Sequence, residues 1–329
     1  MNFLSVVPPD HPFGPNTHIA FTIGSTEIAW YGITMFLGIF SAVLFICIKM
    51  WKWYKIPVDV FYYFAIIAIP TALLGARFWS CVIGDASWGE YWNFRSGGLA
   101  IEGGVMAVVL IALIYFPSIL NRPKFQIRDN TLDGGGLVRQ ISIWVYADCI
   151  VPAILIGQVI GRWGNYANQE LYGPVVTGEG FQHFLAKFLP GMYMQDVDQQ
   201  YHQPFFLWEG ICNLFGFIII FFLLDLIKNR KIRKCGDLAI IYFLWYGIVR
   251  ICLQPFRAGD GGHAANMITT ELWIAAAVVL LVLNHLVFPR LRKYKMLDWP
   301  KVFVNKFFGV KKYKYTEKKG SEIFYYRGL

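Results

Sequence analysis

Charge is what this 329-residue chain has least of: Asp, Glu, Lys and Arg together supply 16% of it, where a soluble domain carries roughly 25%. Hydrophobic residues supply 56% and the mean hydropathy is +0.45. A water-soluble fold of this size has no core large enough to hide so much apolar surface. The apolar residues also fall in blocks rather than at helical or strand spacing, so lipid is the solvent the pattern implies. Cysteines are few: Cys47, Cys81, Cys149, Cys212, Cys235 and Cys252 form no C-x-x-C pair, and most lie inside apolar runs. That points to small buried hydrophobes, and neither a disulfide framework nor a zinc site is expected. No H-E-x-x-H occurs and the six histidines are scattered, so no metal or other cofactor is expected. The first 26 residues lack Lys and Arg and carry Pro8, Pro9, Pro12 and Pro15. They have neither the basic start nor the short apolar core of a cleaved signal. There is no internal repeat and no low-complexity tract. The net charge of +9 comes with no recognisable nucleic-acid module.

What the chain does have is a series of blocks near the length of a bilayer span, which needs about 20 apolar residues. They lie near 28–48, 58–82, 98–118, 141–160, 205–227, 236–256 and 268–288, and Pro57, Pro117, Pro204 and Pro289 punctuate their ends. The pattern predicts an all-α polytopic membrane protein of about seven transmembrane helices. Lys and Arg sort to alternate connections. One set holds Lys49, Lys52, Lys55; Arg122, Lys124, Arg128, Arg139; Lys228, Arg230, Lys231, Arg233, Lys234; and the tail. The other holds only Arg95, Arg162, Lys187 and Arg257. The positive-inside rule then puts the N-terminus outside and the C-terminus in the cytoplasm. Residues 1–27 are expected to form an extracytoplasmic segment, 28–288 the seven-helix domain with a small extracytoplasmic cap at 161–204, and 289–329 a basic cytoplasmic tail that lies along the inner membrane surface or is partly disordered.

Ionisable residues inside spans cost about 2.5–3.5 kcal/mol each at the centre, so those that occur are informative. Arg77 lies near the outer end of the second span and Glu102 near the outer start of the third. Arg162 falls just past the outer end of the fourth, Glu209 near the outer start of the fifth. Arg250 is about 9 Å inside the outer end of the sixth, and Tyr31 begins the first on that side. Topology alone brings them to one half of the membrane. Each has a plainer reading: Arg77 could snorkel outward as an anchor, and Glu102 or Glu209 could pair with an arginine only to hold helices together. Two or three guanidinium groups at one depth read instead as a clamp for an anionic headgroup, since the planar fork binds phosphate bidentately and stays charged. Gly97-Gly98, and Gly103-Gly104 after Glu102, leave room for close approach.

The stretch Gly161-Arg162-Trp163-Gly164-Asn165-Tyr166-Ala167-Asn168-Gln169-Glu170-Leu171-Tyr172-Gly173 resembles the signature G-R-x-G-N-[FY]-x-N-x-E-x-[YW]-G of the prolipoprotein diacylglyceryl transferases. Ala147-Asp148 and Pro152 precede it in that family's manner. Trp30-Tyr31-Gly32, Gly75-Ala76-Arg77, Gln203-Pro204 through Trp208-Glu209, and Tyr246-Gly247-Ile248-Val249-Arg250 are similar to further family motifs, with coverage of roughly 25–288. Two positions depart: Glu102 stands where the family's H-G-G has histidine, and Gln254 where it has glutamate after the sixth-span arginine.

The resemblance implies a multi-pass enzyme of the bacterial cell membrane with its active site toward the outer leaflet. It would move the diacylglyceryl group of phosphatidylglycerol to the sulfur of a prolipoprotein's lipobox cysteine, releasing glycerol phosphate. A thiol of pKa near 8.5 must first lose its proton, and the departing phosphate is an anion that fixed cations stabilise. Arg162 and Arg250 are the candidates for that work, with Arg77 in support and Glu102 as candidate base; Glu170, His202 and His263 are rivals, and the arginine field alone is another route. Tyr31, Asn165, Asn168, Glu170, Gly173, Glu209 and Tyr246 are the remaining candidates for substrate contact. The competing class is a secondary transporter or channel for an anionic solute, which would show a cavity open to both faces; a structural assembly factor would show paired charges and no lipid-sized groove.

Overall fold

The computed structural model describes residues 19–24, 26–54, 56–83, 86–93, 100–120, 127–129, 137–139, 143–169, 171–177, 199–227, 232–257 and 274–287, with a few positions between 180 and 194. A short antiparallel hairpin, β1 (Ile19–Ile23) and β2 (Thr26–Ala29), leads into helix α1 (Trp30–Ile48). There follow α2 (Asp59–Ile83), α3 (Ile101–Leu120), the hairpin β3 (Ile127–Asp129) and β4 (Leu137–Arg139), α4 (Ile143–Ile150) and α5 (Ile154–Ala167). Strands β5 (Tyr193–Met194) and β6 (Gln200–Tyr201) precede α6 (Phe205–Phe217), α7 (Asp237–Leu253) and α8 (Ile274–Leu286).

Five helical stretches are long and apolar enough to cross a bilayer: Trp30–Tyr54, Asp59–Ile83, Ile143–Ala167, Phe205–Leu226 and Asp237–Phe256. They coincide with the first, second, fourth, fifth and sixth predicted spans. At the third and seventh, shorter apolar helices are described, Gly103–Phe116 and Ile274–Leu286. Two helices continue through π-helical stretches, α1 at Lys49–Tyr54, past its apolar block, and α6 at Ile218–Leu223, within its own.

The chain divides into two compact units. One, Cys47–Tyr146, is organised on α2 and α3, which pack antiparallel. Gly75 and Gly103 face each other so closely that a Cβ on either would overlap the other's carbonyl, and the Ala100 amide donates to Ala76 O at 3.1 Å. At the far end of the pair the Tyr115 hydroxyl donates to Val60 O at 2.8 Å. Small residues permit this approach where lipid offers no hydrophobic drive between helices. Past α2, Trp88 stacks on Tyr91, whose hydroxyl donates to Leu74 O, and exposed Trp92 sits edge-on to it. Such amphipathic rings suit the headgroup level of a bilayer. Lys49 is fully buried, its ammonium 5.6 Å from the Tyr54 ring centre.

The second unit comprises residues 1–46 and Ala147–Val287. In α5 the glycines Gly157, Gly161 and Gly164 fall on one face, and α1 packs there: a Cβ on Gly164 would meet Thr34 Oγ1 at 2.5 Å and the Tyr31 ring at 2.8 Å. Pro152 opens a one-turn break between α4 and α5. Asp148, wholly buried, uses it to cap another helix, accepting from Gly236 N at 2.8 Å and Ala239 N at 3.1 Å at the start of α7. A carboxylate there answers both unpaired amides and the helix dipole. Asp237 in turn accepts from Lys234 N, Asn284 Nδ2 and His285, at 2.6–2.8 Å, latching the end of α8 to the start of α7. Arg233, also buried, pairs with Asp225 at 2.8 Å.

Candidate active site

Three charged residues of the second unit, Arg162, Glu209 and Arg250, converge. Arg162 sits in α5, not beyond a helix end as its place in the sequence suggests, because glycine packing against α1 keeps the helix intact to Ala167. The residues one position on from that glycine face, Gln158, Arg162 and Asn165, share the neighbouring face at i, i+4 and i+7. Arg162 Nη2 donates to Glu209 Oε1 of α6 at 2.6 Å, and Arg250 Nη1 of α7 lies 3.7 Å from the same oxygen. Glu209 is 2% exposed, the two guanidinium groups 17% and 19%. With the glutamate ionised, the cluster keeps one net positive charge inside an apolar bundle, since arginine does not deprotonate in proteins.

The tight partner is Arg162; Arg250, beyond hydrogen-bond distance, keeps its donors for another acceptor. Arg162 Nη1 also reaches Asn165 Oδ1 at 3.4 Å, and Tyr31 lies against Gly164, one residue away. Tyr246, one turn before Arg250, stacks on Tyr242 at 6.3 Å between ring centres. Between α5 and α6 an apolar groove of about 160 Å³ begins at Arg162 and runs past Val159, Gly210 and Leu214.

Of the remaining candidates, Asn168 and Gly173 lie beyond Arg162 toward and within the cap. Asn168 ends α5, its amide donating to Gly164 O at 3.0 Å. Gln169 and Leu171, on either side of Glu170, hold left-handed φ of 54° and 58°, an uncommon and strained state for side chains of this kind. Glu170 and His263 lie outside the described residues. Gly173 belongs to the cap, where its amide donates to Gln203 O at 3.0 Å and its carbonyl faces His202 Nδ1 at 2.7 Å. A carbonyl only accepts, so Nδ1 carries the proton and donates. With the ring 4% exposed and edge-on to Tyr172, His202 is a clip for the cap. Met192, Met194 and Phe206 form the cap's small core; burial and the neighbouring Tyr193 push the Tyr201 phenol above its usual pKa.

In the first unit Arg77 is 1% exposed. It is enclosed by protein, which removes the reading of a side chain snorkelling to the surface. Its helix position is level with the start of α3, since Ala76 bonds Ala100; the side chain of Glu102 lies outside the described residues.

The sequence reading passed over two polar residues near the arginines, Gln158 and Asn213, and named a third, Gln254, only as a departure from the family pattern. Gln158 donates from Nε2 to the Tyr242 hydroxyl at 3.2 Å. Asn213 and Gln254 are 1% and 2% exposed, and neither side chain has a hydrogen-bond partner among the described residues. The available signal was spacing: each stands four residues from a charged member of the cluster, Arg162, Glu209 or Arg250.

A family model described as prolipoprotein diacylglyceryl transferase matches residues 18–288. The phosphatidylglycerol–prolipoprotein diacylglyceryl transferase of Malacoplasma penetrans is 45% identical over 300 residues, 88% of this chain and 83% of the relative. A protein of the same name from Ureaplasma urealyticum is 40% identical over 85% of each chain. A third, from Bacillus licheniformis, is 30% identical over 85% of this chain and 94% of its own.

Proposed function

Because the chain belongs to the prolipoprotein diacylglyceryl transferase family, we propose that it moves the diacylglyceryl group of phosphatidylglycerol to the lipobox cysteine of prolipoproteins, forming a thioether and releasing glycerol phosphate. The observation that carries this reading is the pair of arginines from separate helices on one glutamate oxygen, with one positive charge in excess. The cysteine thiolate attacks the glycerol CH₂ that bears the phosphate. A carbon–sulfur bond forms as the carbon–oxygen bond breaks, and the electron pair leaves on the phosphate oxygen. Arg250 and Arg162 meet that growing charge in a site with little water, where fixed donors count most. Tyr31 and Asn165 border the same space and position the headgroup. The groove beginning at Arg162 supports entry of the lipid sideways from the bilayer, which a solute channel does not require.

In this reading seven helices span the bacterial cell membrane with the N-terminus out and the C-terminus in. The residues from Asn168 to Gln203 cap the site on the outer side, and the basic tail lies at the cytoplasmic surface. Glu102 is the candidate base, and Arg77, on the helix packed against its own, is the supporting cation. The direct test is transfer of the lipid group from phosphatidylglycerol vesicles to a lipobox peptide by the purified protein, read as a mass increase on the cysteine. No modified peptide, or modification that survives replacement of the cysteine by serine, defeats the proposal.

Two variants sort out the proton. Glu102→Gln is expected to lower the rate at least about a hundredfold, the usual worth of a general base; a rate within a few-fold of wild type assigns the proton elsewhere. His202→Ala is expected to cost about 1–3 kcal/mol of stability, since it removes a buried donor from the Gly173 carbonyl. Thermal melting should report that loss, while the pH–rate profile keeps its shape. A profile that loses its acidic limb would make His202 the base after all.

A further inference from the structure

The deepest polar groups of the cluster are unused by the chemistry above. Asn213 stands one turn beyond Glu209 on α6, about 6 Å further from the cap at 1.5 Å per residue. The i+4 spacing keeps it on the Glu209 face, the one turned to the arginines. It is 1% exposed, and among the described residues neither its amide nitrogen nor its oxygen has a partner. One turn from Arg162 in the same direction, Gln158 is held through Nε2 by Tyr242, while its buried Oε1 accepts from none of the described residues. Unpaired amides are costly in a bilayer, where no bulk water can answer them. Apolar side chains would fill this level at lower cost.

The direction of the offset identifies the missing partner. In a glycerophospholipid the atoms that follow the phosphate toward the chains are the glycerol carbons and then two ester carbonyls. A carbonyl is an acceptor only, and the Asn213 amide supplies two donors. We propose that Asn213 donates a hydrogen bond to an ester carbonyl of the diacylglyceryl group while Arg162 and Arg250 hold the phosphate, so that the amide fixes how deeply the lipid seats. This rests on the proposed transferase reading and adds to it a selectivity: diacyl lipids over dialkyl ether lipids with the same headgroup.

The test compares phosphatidylglycerol with its dialkyl ether analogue, in mixed micelles, with a lipobox peptide as acceptor and the full-length protein. The reacting carbon and leaving group are the same in both lipids. Wild type is expected to use the diester with about tenfold higher kcat/KM, the worth of one hydrogen bond of about 1.4 kcal/mol. Asn213→Leu should bring the ratio near one by losing activity on the diester alone, and Asn213→Ser, which keeps a donor, should retain most of the preference. Equal use of the two lipids by wild type overturns the proposal without any variant, as does a leucine variant that slows both lipids by one common factor. Absence of transfer from either lipid would instead count against the transferase reading.

Discussion

Arg250→Ala is expected to lower diacylglyceryl transfer about a thousandfold, and Arg162→Ala at least as much, with both proteins still inserted in the membrane. The geometry makes the two losses alike in charge and unlike in structure. Either change takes the cluster from one excess positive charge to none, so the phosphate meets a neutral site. Removing a single fixed donor from a developing anion typically costs 10²–10³-fold. Arg162 has a further duty as the only close hydrogen-bond partner of Glu209 among the described residues, at 2.6 Å. Its loss leaves a carboxylate that is 2% exposed facing an arginine 3.7 Å away, and stranded buried charges cost about 3–5 kcal/mol. Arg162→Ala should therefore melt earlier than Arg250→Ala. Lysine replacements sharpen the distinction. Arg250→Lys keeps a charge where no bond to Glu209 is made, and should retain a measurable rate. Arg162→Lys cannot reach both Glu209 and Asn165 from one ammonium and should resemble the alanine variant. Activity of Arg250→Ala within tenfold of wild type would remove the arginine clamp from the mechanism.

Much of this arrangement can be read from residue order, because a bilayer forces helices to cross and leaves few places for charge. The meeting of Arg162, Glu209 and Arg250 follows from their distance to span ends, and the glycines between them are explained by helix contact. What stays hidden is which contacts a charge makes. Lys49 and Arg233 count as inside charges in the topology, yet both are buried, one over aromatic rings and one on Asp225. Asp148 reads only as part of a motif until α7 is folded against it, 88 residues on. His202 passes for a free base in the sequence, and only the cap's pairing turns its Nδ1 to Gly173. Asn213 and Gln158 were invisible for a simpler reason: one neutral amide barely changes the hydropathy of a span, and only its phase relative to a charged residue marks it. The first part of the signature stretch, Gly161–Ala167, is rich in glycine and asparagine, which lower helix propensity, but packing against α1 overrides that preference.

The other large effect is expected in the first unit, where Gly103→Val should leave little folded protein in the membrane. A Cβ at position 103 would overlap Trp79 Cβ and the Gly75 carbonyl, and one at position 75 would overlap Ala107 Cβ and the Gly103 carbonyl. These are backbone and side-chain roots, so no rotamer change relieves the clash, and the helices must separate. Separation breaks the Ala100–Ala76 bond and loosens the start of α3, with a penalty at or above the ~3 kcal/mol upper end of ordinary overpacking. Function suffers with stability, because Gly75 is two residues from Arg77 and Gly103 adjoins Glu102. Gly32→Ala is the matched control: nothing lies within 4 Å of the added Cβ, and alanine favours the helix by up to about 1 kcal/mol. Detergent-solubilised yield and melting temperature read the difference directly. If Gly103→Val is recovered at wild-type yield with an unchanged melting temperature, α2 and α3 do not touch at their glycines, and the level placed on Arg77 and Glu102 by that contact is wrong.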